Sequence, residues 1–214
     1  MRSRDELIRS QLEVHAPQRE SYVLVAKSVY VGIALLVYAR DDNVAKHITD
    51  VQTQWTGCGP CWLGNKGAVG VRFKIAGLDD VDSPGEIYTF VNAHLTAHQP
   101  NLNKRINDYR HIVQTLLFPN SAASSVHEYS NIYQTTHLFF FGDLNFRIDP
   151  PEDMNRLELE NLIRSGSGRE GLKLHDQLKK SQDKGLVLQS LREGEFWRFQ
   201  CTYKYEHGEV DQYQ

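Results

Sequence analysis

The stretches F-V-N-A-H-L-T-A-H (90–98) and F-F-G-D-L-N-F-R-I (140–148) decide how this 214-residue chain is read. Each continues a short apolar run, 87–91 in one case and 138–141 in the other, that stops abruptly in polar residues. Short apolar runs of this kind predict buried strands. One ends in Asn92 and His94 and the other in Asp143 and Asn145, so polar groups are expected at the rim of a sheet, where sites form. Asp143 and Asn145 stand two apart, a spacing that turns both side chains to one face of an extended chain. That suits a base, Asp143, beside an amide that orients a water or holds the base. Gly, Asp and Asn are equally ordinary turn residues, so each motif alone leaves turn and site both open.

Outward from these two strands, helices and strands alternate. A helix is expected over 4–14, with Leu7, Ile8 and Leu12 on one face. Two strands are expected over 22–26 and 29–40, with a turn between them at Lys27 and Ser28. The Gly-rich segment 56–67 reads as a loop, 68–75 as a strand and 78–85 as a polar turn. Residues 104–118 carry Ile106, Tyr109, Ile112, Val113 and Leu116 at helical spacing, and Pro119 ends that helix. Helices are expected over 157–163 and 172–178 with a Gly/Ser break between them, and 196–205 is aromatic and strand-like. The alternation predicts an α/β layered fold of sheets flanked by helices, in a single domain.

Composition excludes several classes. Hydrophobic residues make up 40% and charged residues 24%, ordinary values for a globular chain. The formal net charge of −3 argues against binding driven by bulk positive charge, so anion recognition must come from locally placed Lys and Arg. Nucleic acid is not an expected partner. Three cysteines, an odd number, do not make a secreted disulfide scaffold, and a reducing, cytoplasmic setting is expected. No signal peptide pattern marks the first residues. The most apolar stretch, 22–39, has Lys27 and Ser28 at its middle and suits strands better than a membrane helix.

Three further motifs bear on chemistry. His94 and His98 lie four apart, but Pro100 follows too soon for the helix a zinc pair needs, so His94 is read as contacting phosphate or handling a proton. Cys58-Gly59-Pro60-Cys61 has a redox spelling, yet the residues after it look like loop rather than the helix such a motif opens. Gly64-Asn65-Lys66-Gly67 is the stronger lead, because glycines admit a ligand close to the backbone and Lys66 supplies a point charge. Arg147 can grip phosphate bidentately from the same rim, and Lys204 adds a second lysine framed by Tyr203 and Tyr205. Singly, each cation is more ordinarily a solvated surface charge. Together with the Asp/Asn and His motifs they describe a phosphate-processing site.

At this point the residues resemble a family. W-L-G-N-K-G-A-V-G-V-R-F (62–73), the two strand-end motifs and E-G…F-x-C-T-Y-K-Y (193–205) look like the inositol polyphosphate 5-phosphatases, within the endonuclease/exonuclease/phosphatase, DNase I-like superfamily. Nuclease relatives share the Asp/Asn and His motifs but lack the G-N-K-G and T-Y-K-Y elements. The resemblance implies a four-layer α/β sandwich of two packed mixed sheets flanked by helices. It implies Mg²⁺-dependent hydrolysis of the 5-phosphate of phosphoinositide lipids or soluble inositol polyphosphates, with peripheral contact at a membrane. Asp143 would activate the attacking water, Asn145 would position Asp143 or the phosphate, and Asn92 and His94 would contact the scissile phosphate. Lys66, Arg147, Tyr203 and Lys204 would hold phosphates, including that at ring position 4. The chain departs from the pattern at Ile106, where the family has Asn, and at Cys201, where it has Pro. The family's metal-binding Glu would lie upstream, since Glu6, Glu13 and Glu20 do not fit it, and the W-C-D-R-I and S-D-H elements would lie beyond Gln214. The chain by itself is therefore expected to be inactive. A binding-only relative that holds phosphoinositides without turnover is the alternative.

Overall fold

A computed structural model describes residues 3–59, 65–77, 84–120, 128–195, 198, 200–201, 205–208 and 212. The chain separates into two compact units, Met1–Thr96 with Asn107–Asn145, and Ala97–Ile106 with Phe146–Gln214.

The first unit opens with α1 (Arg4–His15), whose start is fixed by a capping box in which Ser3 and Glu6 satisfy each other's backbone N–H. Two strands, β1 (Tyr22–Tyr30) and β2 (Ile33–Arg40), pair antiparallel. The expected turn at Lys27 and Ser28 is instead strand. Lys27 points outward to an ion pair with Asp5 at 2.8 Å, and Ser28 points inward, its hydroxyl donating to Gln54 O at 3.2 Å. The chain reverses at Val31 and Gly32, where Gly32 has φ +81°.

The main sheet holds β3 (Ile48–Gly57), β4 (Gly67–Ile75) and β5 (Glu86–His94) as an antiparallel run. After α2 (Leu102–Thr115) and a small antiparallel pair, β6 (Phe118–Pro119) with β7 (Tyr129–Ser130), the chain returns as β8 (His137–Asp143) parallel to β5. The order is β3-β4-β5-β8, a mixed sheet.

Strand β4 is buried on both faces, from Gly67 to Phe73. On one face Val69, Val71 and Phe73 pack with Ala26, Ile33 and Leu35 of the β1–β2 hairpin. On the other, a Cβ at Gly70 would stand 2.8 Å from Phe118 and 3.1 Å from Leu116, so the side chains that follow α2 lie directly on the strand. Thr56 bonds Thr115 at 2.7 Å on the same side, and Ile112, Leu116 and Phe118 are fully buried there. A strand covered by a sheet on one side and a helix on the other is the α/β layering expected. Of the two sheets anticipated, one is the mixed four-stranded sheet and the other is represented by the β1–β2 pair.

The second unit contains α3 (Arg156–Arg164), α4 (Gly166–Leu172) and α5 (Gln177–Asp183). The Gly/Ser segment expected to break the chain is itself helical, started by the Ser165 hydroxyl accepting from Gly168 N at 2.9 Å. The helix expected over 172–178 divides instead, because Asp176 caps a new helix by accepting from Leu178 and Lys179. Fully buried Arg105 ties this unit together, donating to His98 O and to Gln177 Oε1. The strand-like reading of 196–205 falls largely outside the described residues. Among the described residues no helix is long and apolar enough to cross a membrane.

Replacing Ile112 by Ala should remove about 2–5 kcal/mol of stability, because the site is sealed and cannot collapse fully. Leu157→Ala, at a side chain 70% exposed, should change stability by less than about 0.5 kcal/mol. Urea unfolding of both variants measures the difference, and equal losses would contradict this assignment of the core.

Candidate active site

Strand register builds the site. Gly67 pairs with His94 across β4 and β5, and His94 pairs with Asp143 across β5 and β8. β4 therefore begins level with the points where β5 and β8 finish, and the residues singled out at the two strand ends stand side by side. Directly paired residues share a face, and Asn92, two before His94, points the same way.

Two glycines make this closeness sterically feasible. A Cβ on Gly67 would lie 2.2 Å from Thr56 O, and one on Gly142 (φ +128°) would lie 2.1 Å from Ala93 O and 2.5 Å from Asn92 Oδ1. No side chain fits at either place. Beyond the paired residues, Leu95 N donates to Asp143 O at 3.0 Å, and Asn145 Nδ2 donates to Leu95 O at 3.0 Å. Asn145 has φ +57°, the left-handed conformation that Asn tolerates better than most residues. Its amide thus fixes the turn that carries Asp143.

The ionisable groups meet at His94. Lys66 Nζ lies 2.8 Å from His94 Nε2, and Asp143 Oδ2 lies 3.4 Å from the same nitrogen. A lysine ammonium has donors only, so His94 Nε2 accepts from Lys66 and the ring proton sits on Nδ1. Partial burial and then the Lys66 charge lower the His94 pKa, while Asp143 opposes them. Asp143 itself is open to solvent, its side chain 65% exposed. An accessible carboxylate beside a lysine on a neutral imidazole can take a proton from a water while the cation holds an anion. Asn92 turns its amide to the hairpin and donates to Ala34 O at 3.0 Å, a link that sequence reasoning did not anticipate.

The other expected residues divide as follows. Arg147 belongs to the second unit, where its backbone exchanges hydrogen bonds with Gln177. Tyr203 and Lys204 lie outside the described residues. Glu6 is engaged in its capping box, Glu13 bonds Tyr22 N, and Glu20 bonds Gln18 N, so none of the three turns to the strand ends. Among the described residues no cluster of three or more His, Cys, Asp or Glu could hold a metal ion. A divalent cation of the Mg²⁺ kind needs one or two carboxylates, with phosphate and water completing its shell. Asp143 is a carboxylate at the strand ends, and the described residues alone do not make that site. The redox reading of Cys58 also fails on geometry. Its thiol is buried, donates to Asp108 O at 3.7 Å, and is pushed up to about 12 by burial, the opposite of an activated thiolate. Cys61 lies outside the described residues.

Residues 4–214 match the family described as Endonuclease/Exonuclease/phosphatase family 2. The chain belongs to that family. It is 32% identical over 202 residues to synaptojanin-2 of Rattus norvegicus, covering 92% of this chain and 12% of that protein. It is 31% identical over 208 residues to phosphatidylinositol 3,4,5-trisphosphate 5-phosphatase 2A of Danio rerio, covering 97% of this chain and 15% of that protein. Among solved structures, the inositol polyphosphate 5-phosphatase domain of Spsynaptojanin, in complex with inositol (1,4)-bisphosphate and calcium ion, aligns with a TM-score of 0.75 at 26% identity. That alignment covers 98% of this chain and 55% of the other. The α/β fold is thus that of an inositol 5-phosphatase domain, and the chain spans a small part of the curated relatives' length.

The electrostatics at His94 give a measurable expectation. Its pKa in the folded chain should lie below the free value of about 6.5. The unfolded chain then binds the extra proton first as pH falls, so the stability this residue contributes is present above pH ~6.5 and is lost as pH falls through its lowered pKa. An NMR titration of the His94 ring should show that pKa rising in Lys66→Ala and falling further in Asp143→Asn. An unchanged value in both variants would contradict the three-residue cluster.

Proposed function

We propose that this chain carries the catalytic strand ends of an inositol polyphosphate 5-phosphatase, acting on phosphoinositide lipids or soluble inositol polyphosphates. One observation carries the reading: Gly67, His94 and Asp143 stand level on three adjacent strands, with the Lys66 ammonium 2.8 Å from His94. In this reading Asp143 takes the proton of the attacking water. Lys66, oriented by neutral His94, holds phosphate oxygens. Asn145 and Gly142 fix the turn that aims Asp143. Arg147, Tyr203 and Lys204 are proposed as further phosphate contacts. Mg²⁺ is the proposed cofactor of the complete enzyme, where it would stabilise charge on the phosphoryl group.

The neighbouring structure's bound inositol (1,4)-bisphosphate supports a phosphorylated inositol as the ligand class. Peripheral contact with a membrane, from the cytoplasm, is proposed as well. Val29, Val31 and Trp55 are 56%, 60% and 58% exposed, and Trp55 stacks on Tyr30 at 4.7 Å. These residues lie on the hairpin whose backbone Asn92 holds, or on the strand beneath it. Exposed aromatic and aliphatic side chains beside a site suit the boundary between water and lipid. The second reading is a module that binds phosphoinositides without turnover, through the same Lys66 and His94 contacts.

Phosphate release from a soluble inositol polyphosphate by the complete enzyme, in the presence of Mg²⁺, separates the two. Asp143→Asn should lower the rate by on the order of 10²–10⁴-fold, the contribution of a general base. Unchanged release would overturn the role of Asp143. Absent release by the complete enzyme, with Lys66-dependent binding, would establish the binding module instead. For the membrane, Val31→Asp should weaken attachment to phosphoinositide vesicles and leave affinity for the soluble substrate intact. Equal affinity of the variant for the vesicles would refute that surface.

A further inference from the structure

The opposite end of β4 carries a second polar construction that the catalytic reading does not use. A pocket of about 250 Å³ opens there, lined by Asp50, Gln52, Arg72, Lys74, Ile87 and Asn120 among others. At roughly 3.3 Å per residue, Arg72 and Lys74 lie ~17–23 Å along the strand from Gly67. Arg72 also sits on the opposite face from His94, alongside Gly70 and over the Phe118 ring at 5.7 Å.

Four observations concern the same few residues. Arg72 is 8% exposed, and its Nη2 donates to Gln134 O at 2.5 Å, while its Nη1 is buried with no hydrogen-bond partner. Gln52, the cross-strand partner of Arg72, has its Oε1 buried and unpartnered as well. A buried donor and a buried acceptor left unmatched on facing residues are costly, and native structures hold few of them. Between Thr49 and Gln52 the strand is irregular, with Asp50 at φ +52°, a conformation an Asp adopts at local cost. Finally, burial disfavours the Arg72 charge, with Asp50 the charge that compensates it.

We propose that this pocket is a second anion site, accepting one phosphate-sized oxyanion between Arg72 Nη1 and Lys74. Two cations against one carboxylate leave the pocket one positive charge in excess. An oxyanion supplies the acceptor that Nη1 lacks, and a water or hydroxyl on it supplies the donor that Gln52 Oε1 lacks. Entry moves the Gln52 side chain, which is held by a hydrogen bond from its Nε2 to Asp50 Oδ1 at 3.0 Å. The proposal does not rest on the phosphatase reading, since no residue is shared between the two places.

The test is an NMR titration of the full chain carrying Lys66→Ala, which weakens the strand-end site, with inorganic phosphate at constant ionic strength. The side-chain amide signals of Gln52 and Asn120 should shift and saturate. Adding Lys74→Ala should weaken that saturation about tenfold. Arg72→Lys should weaken it too, although this buried position risks the fold, so the half-buried Lys74 carries the decision. A parallel titration with a soluble inositol bisphosphate identifies the source. Tighter saturation than with phosphate makes the natural ligand a phosphate on a larger molecule, and equal saturation makes it the free ion; either supports the site. Phosphate that shifts only strand-end residues, or that leaves Gln52 and Asn120 unmoved in the Lys66→Ala chain, overturns it.

Discussion

Everything described at the strand ends depends on the pairing of β4 with β5 and of β5 with β8. A strand buried on both faces cannot slip by one residue without turning its core side chains to the wrong layer. Val69, Val71 and Phe73 must meet the hairpin, and Gly70 must admit Leu116 and Phe118. Those packing demands fix the register, and the register sets Gly67, His94 and Asp143 on one line. The hydrophobic layers therefore do the positioning that the site requires. The polar contacts add fine placement: Leu95 with Asp143, Asn145 with Leu95, and Asn92 with Ala34.

Much of this was legible because a short apolar run that stops in polar residues suits a strand reaching the rim of its sheet, although only β5 is buried as expected: β8 has no buried residue, and Phe139 and Phe141 are 46% and 42% exposed. The strands β5 and β8 and the helix through Ile112 announced themselves by pattern. Strand β3 did not. Its sequence, I-T-D-V-Q-T-Q-W-T-G, alternates polar with polar along much of its length, and its pairing comes from the β4 ladder rather than from an apolar face. The reversal at Gly32 was also hidden, because Lys27 and Ser28 are more polar than the true turn. What places them in a strand is a helix partner, Asp5, 22 residues away in sequence, and the Gln54 carbonyl of β3, the strand whose pattern is weakest.

The site residues were legible as residue types but not as an arrangement. Nothing in the spacing of Lys66 and His94 shows that one would donate to the other, and that contact assigns the His94 tautomer. Asn145 was expected to position Asp143 or the phosphate, and its amide reaches back to Leu95, whose own N–H bonds Asp143 O. This makes it an indirect positioner of Asp143. At Ile106, where the chain departs from the family pattern, the side chain is buried, while neighbouring Asp108 accepts from the backbone and hydroxyl of Thr96 at 2.8 and 2.6 Å.

The level strand ends are proposed to receive a phosphate, with Lys66 passing from His94 to the ligand or bridging the two. A crystal structure of the chain with a soluble inositol polyphosphate tests this most directly. A phosphate oxygen is expected within hydrogen-bond distance of Lys66 Nζ, roughly 2.7–3.2 Å, on the face shared by His94 and Asp143. An ordered ligand bound elsewhere, with the Lys66–His94 contact undisturbed, would contradict it.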